Sequence, residues 1–466
     1  MIRTSMLALV ACLMVLPHSA EPAEFYVDPV HGDIGNDGSP QKPWRSIQAV
    51  FDQGLVESRQ WAKLPYRGGA KLVPKNAGAP VRAGDTMYLR SGYHGALEIR
   101  GYYNSDWITI AAEKGHTPKL SRIRIRSGAR WKLHGLHVSP ELAGSFERGT
   151  LIDLDWHGFH GPVHDIVVEK CRAESVQDSS NWTVQDWNAL ACNGIQVDGR
   201  DMTVRDCTFR NVDFGISVTA VDCMIEGNTV ENFAGDGMRG LGDNTTFQYN
   251  TVRNCYDVNR NHDDGFQSWS RGDDGRVGTG EVKGIVLRGN TIVNYEDPQQ
   301  PHRGTLQGIG CFDGTFVDWV VENNVVVTDH YHGITLSGAR DCRIVNNTVI
   351  DRRDGRPGPP WIRIGSHKNG TPSSGCVVRN NLTTSLNVGD GVTADHNLII
   401  KDPQALFVDV AAFDLRLRSD CEAIDAGSPD LAPSHDAAGT PRPQGEGIDV
   451  GAYEHPAGAA ATPRSY

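Results

Sequence analysis

The sequence predicts an all-β solenoid: one chain wound into stacked rungs of short strands, with a cap at each end. Three observations carry this. An asparagine recurs behind short β-rich runs at spacings of about 21 to 23 residues, inside the range of solenoid repeats. A glycine followed by alternating apolar and polar residues recurs in step with it. The 52 glycines and 24 prolines among 466 residues show no Gly-X-Y period, which excludes a collagen-like fold and leaves them as turn punctuation.

From the N-terminus, residues 1–23 read as a signal peptide. Arg3 supplies the positive start, and Met6 to Leu16 form an apolar stretch too short to span a bilayer. Leu9-Val10-Ala11-Cys12 also has the form of a lipobox, but the apolar run continues past Cys12. A soluble exported protein, periplasmic or extracellular, is therefore expected. Residues 24–84 follow as an N-terminal cap, with a short helix from Ser46 covering strands that would otherwise pair with other chains.

Residues 85–400 carry the repeat. Its first column runs Cys171, Cys207, Asn228, Asn250, Asn290, Asn324, Asn347, Asn381, Asn397. The glycine motif appears as GIQVDG from Gly194, GISVTA from Gly215, GMRGLG from Gly237, GFQSWS from Gly265, GIGCFD from Gly308 and GITLSG from Gly333, with WIRIGS from Trp361 in the same place. Strict alternation marks half-buried strands. Ile195, Ile216, Met238, Phe266, Ile309, Ile334 and Ile362 point inward, while Gln196, Ser217, Arg239, Gln267, Gly310, Thr335 and Arg363 form one outward column. A second outward column reads Asp198, Thr219, Leu241, Trp269, Phe312, Ser337, Gly365. Asparagine suits the tight turn because it tolerates left-handed backbone and its amides can bond along the stack. A propeller blade would need about 40–45 residues, twice this period. Residues 401–466 read as a C-terminal cap.

Charge and cysteines bound the function. With 45 basic and 57 acidic residues the formal charge is −12, which argues against a general nucleic-acid binder. An anionic ligand then requires a local group of cations. The nine cysteines left beyond Cys12 show no CxxC or Cys/His metal pattern and read as small buried packing residues.

The asparagine column and the glycine-led strands resemble the pectin-lyase-like superfamily. The resemblance implies a single-stranded right-handed parallel β-helix with an asparagine ladder. It also implies that substrate lies across the outer face of the glycine-motif strands, between loop walls. The long insertions, near 176–191, 271–281, 296–307, 351–360 and 366–374, flank those same strands. Trp182 and Trp187 in the first of them are candidates for stacking on sugar rings.

Three stretches concentrate chemistry on that face. Asp236-Gly237-Met238-Arg239 offers a planar cation suited to a sugar carboxylate. His262-Asp263-Asp264-Gly265-Phe266-Gln267-Ser268-Trp269 gathers a base, carboxylates, an amide and a stacking ring. His330-Tyr331-His332 brings two imidazoles and a phenol to one turn. Phe312, Arg363 and Lys368 complete the candidate binding set. Asp257, Asn259 and Asp263 alternate oxygen side chains and, with Asp236, invite calcium, although the EF-hand template fails at His262 and Ser268.

The resemblance implies two reaction classes. In a polysaccharide lyase acting on pectate, alginate or a related uronan, Arg239, with Gln267 and calcium, would neutralise the carboxylate. His262 or His332 would take the C5 proton, and Tyr331 would act as acid. The Asp-Pro-His signature of the related mannuronan epimerases is absent. In a polygalacturonase-like hydrolase, Asp236 and Asp263/Asp264 would be the paired carboxyl groups. His332-Gly333 then lies one rung too far, because the strand from Gly308 intervenes. A non-catalytic polysaccharide-binding solenoid is the third reading. An acidic polysaccharide is the expected partner, with no nucleic acid and no membrane span, and a monomer is expected.

Overall fold

The computed structural model describes residues 21–351 and 357–456. Residues 1–20, with Cys12 and most of the expected signal peptide, lie outside the described residues, as do part of the 351–360 insertion and the last ten residues. Among the described residues no helix is long and apolar enough to cross a membrane.

Each turn of the coil contributes one strand to each of three parallel sheets. The first sheet runs from Thr150–Asp155 through Asn193–Val197, Ile216–Val218, Met238–Gly240, Asp264–Trp269, Gln307–Asp313, His332–Ser337 and Trp361–Gly365 to Leu386–Val388. The second follows it at each turn, as in Met224–Glu226, Thr246–Gln248 and Val286–Arg288. The third has twelve strands, from Gly92–Tyr93 to Leu398–Ile399. The long strands Ala96–Ala112 and Arg122–His134 each pass through both of the first two sheets. Ile195, Ile216, Met238, Phe266, Ile309, Ile334 and Ile362 are all buried, as alternation predicts.

The ladder explains the asparagines. Asn290 Nδ2 donates to Asn324 Oδ1 at 2.9 Å and to the Phe247 carbonyl at 2.9 Å. Its own Oδ1 accepts from the backbone N–H of Asn250 at 3.0 Å and from Asn250 Nδ2 at 2.9 Å. The same pattern continues through Asn347 and Asn381 to Asn397, so each buried interior amide fills its two donor and two acceptor positions. One local expectation is corrected. The left-handed residue is the one before the ladder asparagine: Gly227, Tyr249, Gly289, Asn323, Asn346 and Asn380 have φ between 53° and 64°. The glycine motif has a different cause. A Cβ on Gly237 would sit 2.3 Å from Val252 Cγ1, and one on Gly265 2.4 Å from Ile292 Cγ2, so only glycine lets the third sheet close on the first.

At the N-terminal end, Ser46 caps the helix Ile47–Asp52, which buries Ile47, Val50 and Phe51 on the core, as the sequence predicts. The C-terminal segment, expected as a cap, also lies against the side of the coil. Leu406, Phe407, Leu415 and Leu417 pack with Val293, Val325, Val327 and Ile350 of the third sheet, along the side of the coil. The left-handed asparagines hold it there: Asn323, Asn346 and Asn380 donate to the carbonyls of His435, Asp449 and Ser428 at 2.7 to 3.0 Å. The nine described cysteines are all unpaired and eight are buried, in line with a packing role.

Candidate active site

Backbone register fixes the outer face of the first sheet. Gln196, Ser217, Arg239, Gln267, Gly310, Thr335 and Arg363 are partners in one continuous column, as the alternation predicts. The second predicted column is corrected at Trp269, where a bulge after Ser268 sets Trp269 opposite Asp313 instead of Phe312.

Loops wall this face on both sides. On one side the helix Val184–Leu190 is tied down by Asn188 Nδ2, which donates to the Val258 carbonyl at 2.8 Å. Trp187 stacks on Tyr256 with centroids 4.6 Å apart and is 1% exposed. It anchors the wall and has no face left for a sugar. On the other side His367 meets the Gly278 carbonyl at 3.0 Å, and Lys368 Nζ pairs with Asp313 at 2.7 Å, so Lys368 is not a free cation.

Asp236, Asp263 and Asp264 form a buried acidic cluster, 1%, 6% and 0% exposed. Arg239 Nε donates to Asp236 Oδ2, and its guanidinium lies 4.0 Å over the Phe214 ring. The backbone N–H of Asp264 donates to Asp236 Oδ1 at 3.1 Å, and Gln267 Nε2 to Asp264 Oδ2 at 2.9 Å. The carboxyls of Asp236 and Asp264 therefore sit beneath Arg239 and Gln267 respectively. Oδ1 of Asp263, Oδ1 of Asp264 and Oε1 of Gln307 accept no hydrogen bond among the described residues. Burial, reinforced by the charges of Asp257 and Asp236, pushes Asp263 up to about 8. Burial first and Asp236 second push Asp264 well above the usual carboxylate range, and burial outweighs Arg239 at Asp236.

Asn259 spends its side chain on the Ala234 carbonyl and the Asn261 N–H. Asp257 and His262 are exposed. Among the described residues no group of three or more His, Cys, Asp or Glu side chains is arranged to hold a metal ion.

A second cluster lies further along the groove. His332 contacts Phe312, Tyr331 and Trp361 at centroid distances of 4.7, 4.4 and 5.4 Å. His332 Nδ1 is 2.9 Å from Thr335 Oγ1, which also accepts from Trp361 Nε1 at 3.1 Å. Arg363, the register partner of Thr335, stands 5.6 Å over the Trp361 ring and makes no ion pair with a carboxylate among the described residues. Burial, helped by the neighbouring His330 and Arg363, lowers His332 to about 4, so its imidazole is neutral at physiological pH. His330 is also lowered to about 4, by burial and then His262, but its Nδ1 accepts the backbone N–H of His332 at 3.0 Å and serves the turn.

The two clusters are separate. Arg239 and Thr335 lie three strand spacings apart, about 14 Å. No single sugar residue reaches from Arg239 to His332, so the expected pairing of those two is corrected. Phe214, against Arg239, and Trp361, against His332, are neighbours of the candidate residues that the sequence reading did not single out. Extending the glycine motif backwards by one residue would have exposed Phe214, which directly precedes Gly215 as Asp236 precedes Gly237 one rung on.

The right-handed β-helix region model matches residues 193–397. This chain is a right-handed parallel β-helix. Among solved structures, the β-helix is similar to XylC in complex with xylose, at 8% identity over 93% of this chain and 99% of that one, with a TM-score of 0.56. It is also similar to pectate lyase Pel9A, at 14% identity over 93% and 97%, TM-score 0.46. The A-module of an Azotobacter vinelandii mannuronan C-5 epimerase aligns at 11% identity over 68% and 91%, TM-score 0.44. No curated protein matches the sequence.

Proposed function

We propose that this β-helix is a polysaccharide lyase that cleaves a uronate-containing chain by β-elimination, with His332, Tyr331 and Arg363 at its centre. The observation that carries the reading is a neutral, half-buried imidazole one strand spacing from an arginine that no carboxylate occupies among the described residues. Arg363 pairs with the uronate carboxylate and lowers the cost of the carbanion at C5. When Nδ1 of His332 carries its proton and donates to Thr335, Nε2 holds the lone pair that removes the C5 proton. The C4–O bond then breaks as the C4–C5 double bond forms, and the Tyr331 hydroxyl returns a proton to the leaving oxygen. Trp361 and Phe312 line the sugar. Arg239, aimed by Asp236 and Phe214, and Gln267 would hold the chain about 14 Å away. The N-terminal pattern supports export to where such polymers occur.

Hydrolysis is the second reading, favoured by the raised carboxyls of Asp263 and Asp264, which would suit a general acid. Its difficulty is access, since both are buried and Gln267 holds Asp264. Incubation with pectate, alginate and polyglucuronate, with and without chelator, tests the proposal. Elimination produces the ultraviolet chromophore of an unsaturated uronate. New reducing ends without that chromophore favour hydrolysis, and the chelator arm tests the calcium expectation.

A further inference from the structure

The outer face of the first sheet continues well beyond the groove centre. Register runs unbroken from Thr335 back through Gly310, Gln267, Arg239, Ser217, Gln196 and Asp153 to Arg124, seven strand spacings or about 34 Å. At that end a cleft of about 490 Å³ opens beside the face, lined by Tyr93, Ser121, Arg122, Pro140, Ser145 and Glu147.

Its composition is that of a sugar site. Tyr93 is 42% exposed and presents an aromatic ring. Ser121 and Ser145 offer hydroxyls. Arg122 packs close to Gly149, with Nη2 2.8 Å from where a Cβ there would lie, and Nη2 donates to the Glu147 carbonyl at 3.4 Å. The nearest carboxylate, Glu147, is 3.9 Å away on a side chain 73% exposed, a contact loose enough for another carboxylate to replace.

We propose that this cleft is a distal subsite for a carboxylated sugar residue of the same polysaccharide that is cleaved near His332. The inference rests on the lyase reading and adds a second station to it. Tyr93 stacks on the apolar face of the ring, and the Arg122 fork takes the carboxylate. A chain held there has its next reactive segment tethered over the groove, which raises the effective concentration of long substrates and leaves short ones unaffected.

The test uses the full chain, electrophoresed through gels containing polygalacturonate, alginate, polyglucuronate or neutral xylan, with kinetics on polymer and on the corresponding trisaccharide. Tyr93→Ala and Arg122→Gln are expected to weaken retardation by the preferred uronan and raise the polymer KM about tenfold. Trisaccharide kinetics stay at the wild-type level, which also reports intact folding, and Arg122→Lys restores part of the loss. Wild-type retardation and polymer KM in both variants would overturn the distal subsite while leaving the lyase reading intact. Equal retardation of wild type by xylan would overturn its acidic specificity. A wild-type protein neither retarded by nor active on any uronan would overturn both.

Discussion

Replacing Asp263 with asparagine should stabilise the protein, and more so at high pH. An unfolded aspartate loses its proton near 3.8, whereas Asp263 in the fold keeps it to about 8. Between those values the unfolded chain has released a proton that the folded chain still holds. Stability is therefore fully present below about 3.8, falls as pH rises through the window, and levels off above about 8. A shift of about four units at about 1.4 kcal/mol each costs on the order of 5 kcal/mol by about pH 9, against about 2 kcal/mol at about pH 5. An asparagine amide cannot ionise, so urea unfolding followed by circular dichroism should show Asp263→Asn more stable than wild type by those amounts. An equal gain at both pH values, or a loss at about pH 9, would refute a buried, proton-retaining Asp263.

Four further outcomes follow from the same structure. His332→Ala should lower elimination by about 10²–10⁴-fold, and in wild type activity should fall on the acid side as pH drops through about 4, where the imidazole takes a proton; an acid limb unchanged by the substitution would remove His332 as the base. Trp361→Ala removes one face of the sugar site and should raise KM about fivefold, equivalent to about 1 kcal/mol, with little change in kcat; steady-state kinetics on the preferred uronan decide it. Asn290→Ala strands the amide of Asn250 and the Phe247 carbonyl in the core and should cost about 3 kcal/mol or more by urea unfolding, while a cost under about 1 kcal/mol would mean the ladder is decorative. Asn346→Ala removes one of the two donors to the Asp449 carbonyl, leaving Arg442, and should speed proteolytic trimming of the C-terminal segment, with the coil itself uncut.

The repeat was legible because its causes are local. Alternation alone placed Gln196 through Arg363 in one column, since period-two patterning sets which face each residue takes. The ladder was legible as spacing, but its geometry was not: Asn323, Asn346 and Asn380 look like duplicates of their neighbours in sequence, and only the structure shows that they clasp the C-terminal segment. The site divides in the same way. Composition brought Asp236, Arg239, Asp263 and Asp264 together, but burial decides what they do, and burial arises from contacts across rungs. Thus Arg239 and Lys368, read as cations for an anionic ligand, are paired with Asp236 and Asp313, whereas Arg363 is an arginine on this face that no carboxylate takes among the described residues. Trp187 looked like a groove residue and is a wall anchor, because its partner Tyr256 lies far along the chain, on a later rung. The bulge that turns Trp269 toward Asp313 leaves no mark on the alternation.

Mass spectrometry of the products made from a uronan by wild type, Arg363→Gln and Asp264→Asn tests the central claim most directly. The account predicts fragments lighter by one water at the new non-reducing end, made by wild type and Asp264→Asn and lost with Arg363→Gln. Fragments of full hydrolytic mass, made by wild type and Arg363→Gln but lost with Asp264→Asn, would contradict it and move the chemistry to the buried carboxyl cluster.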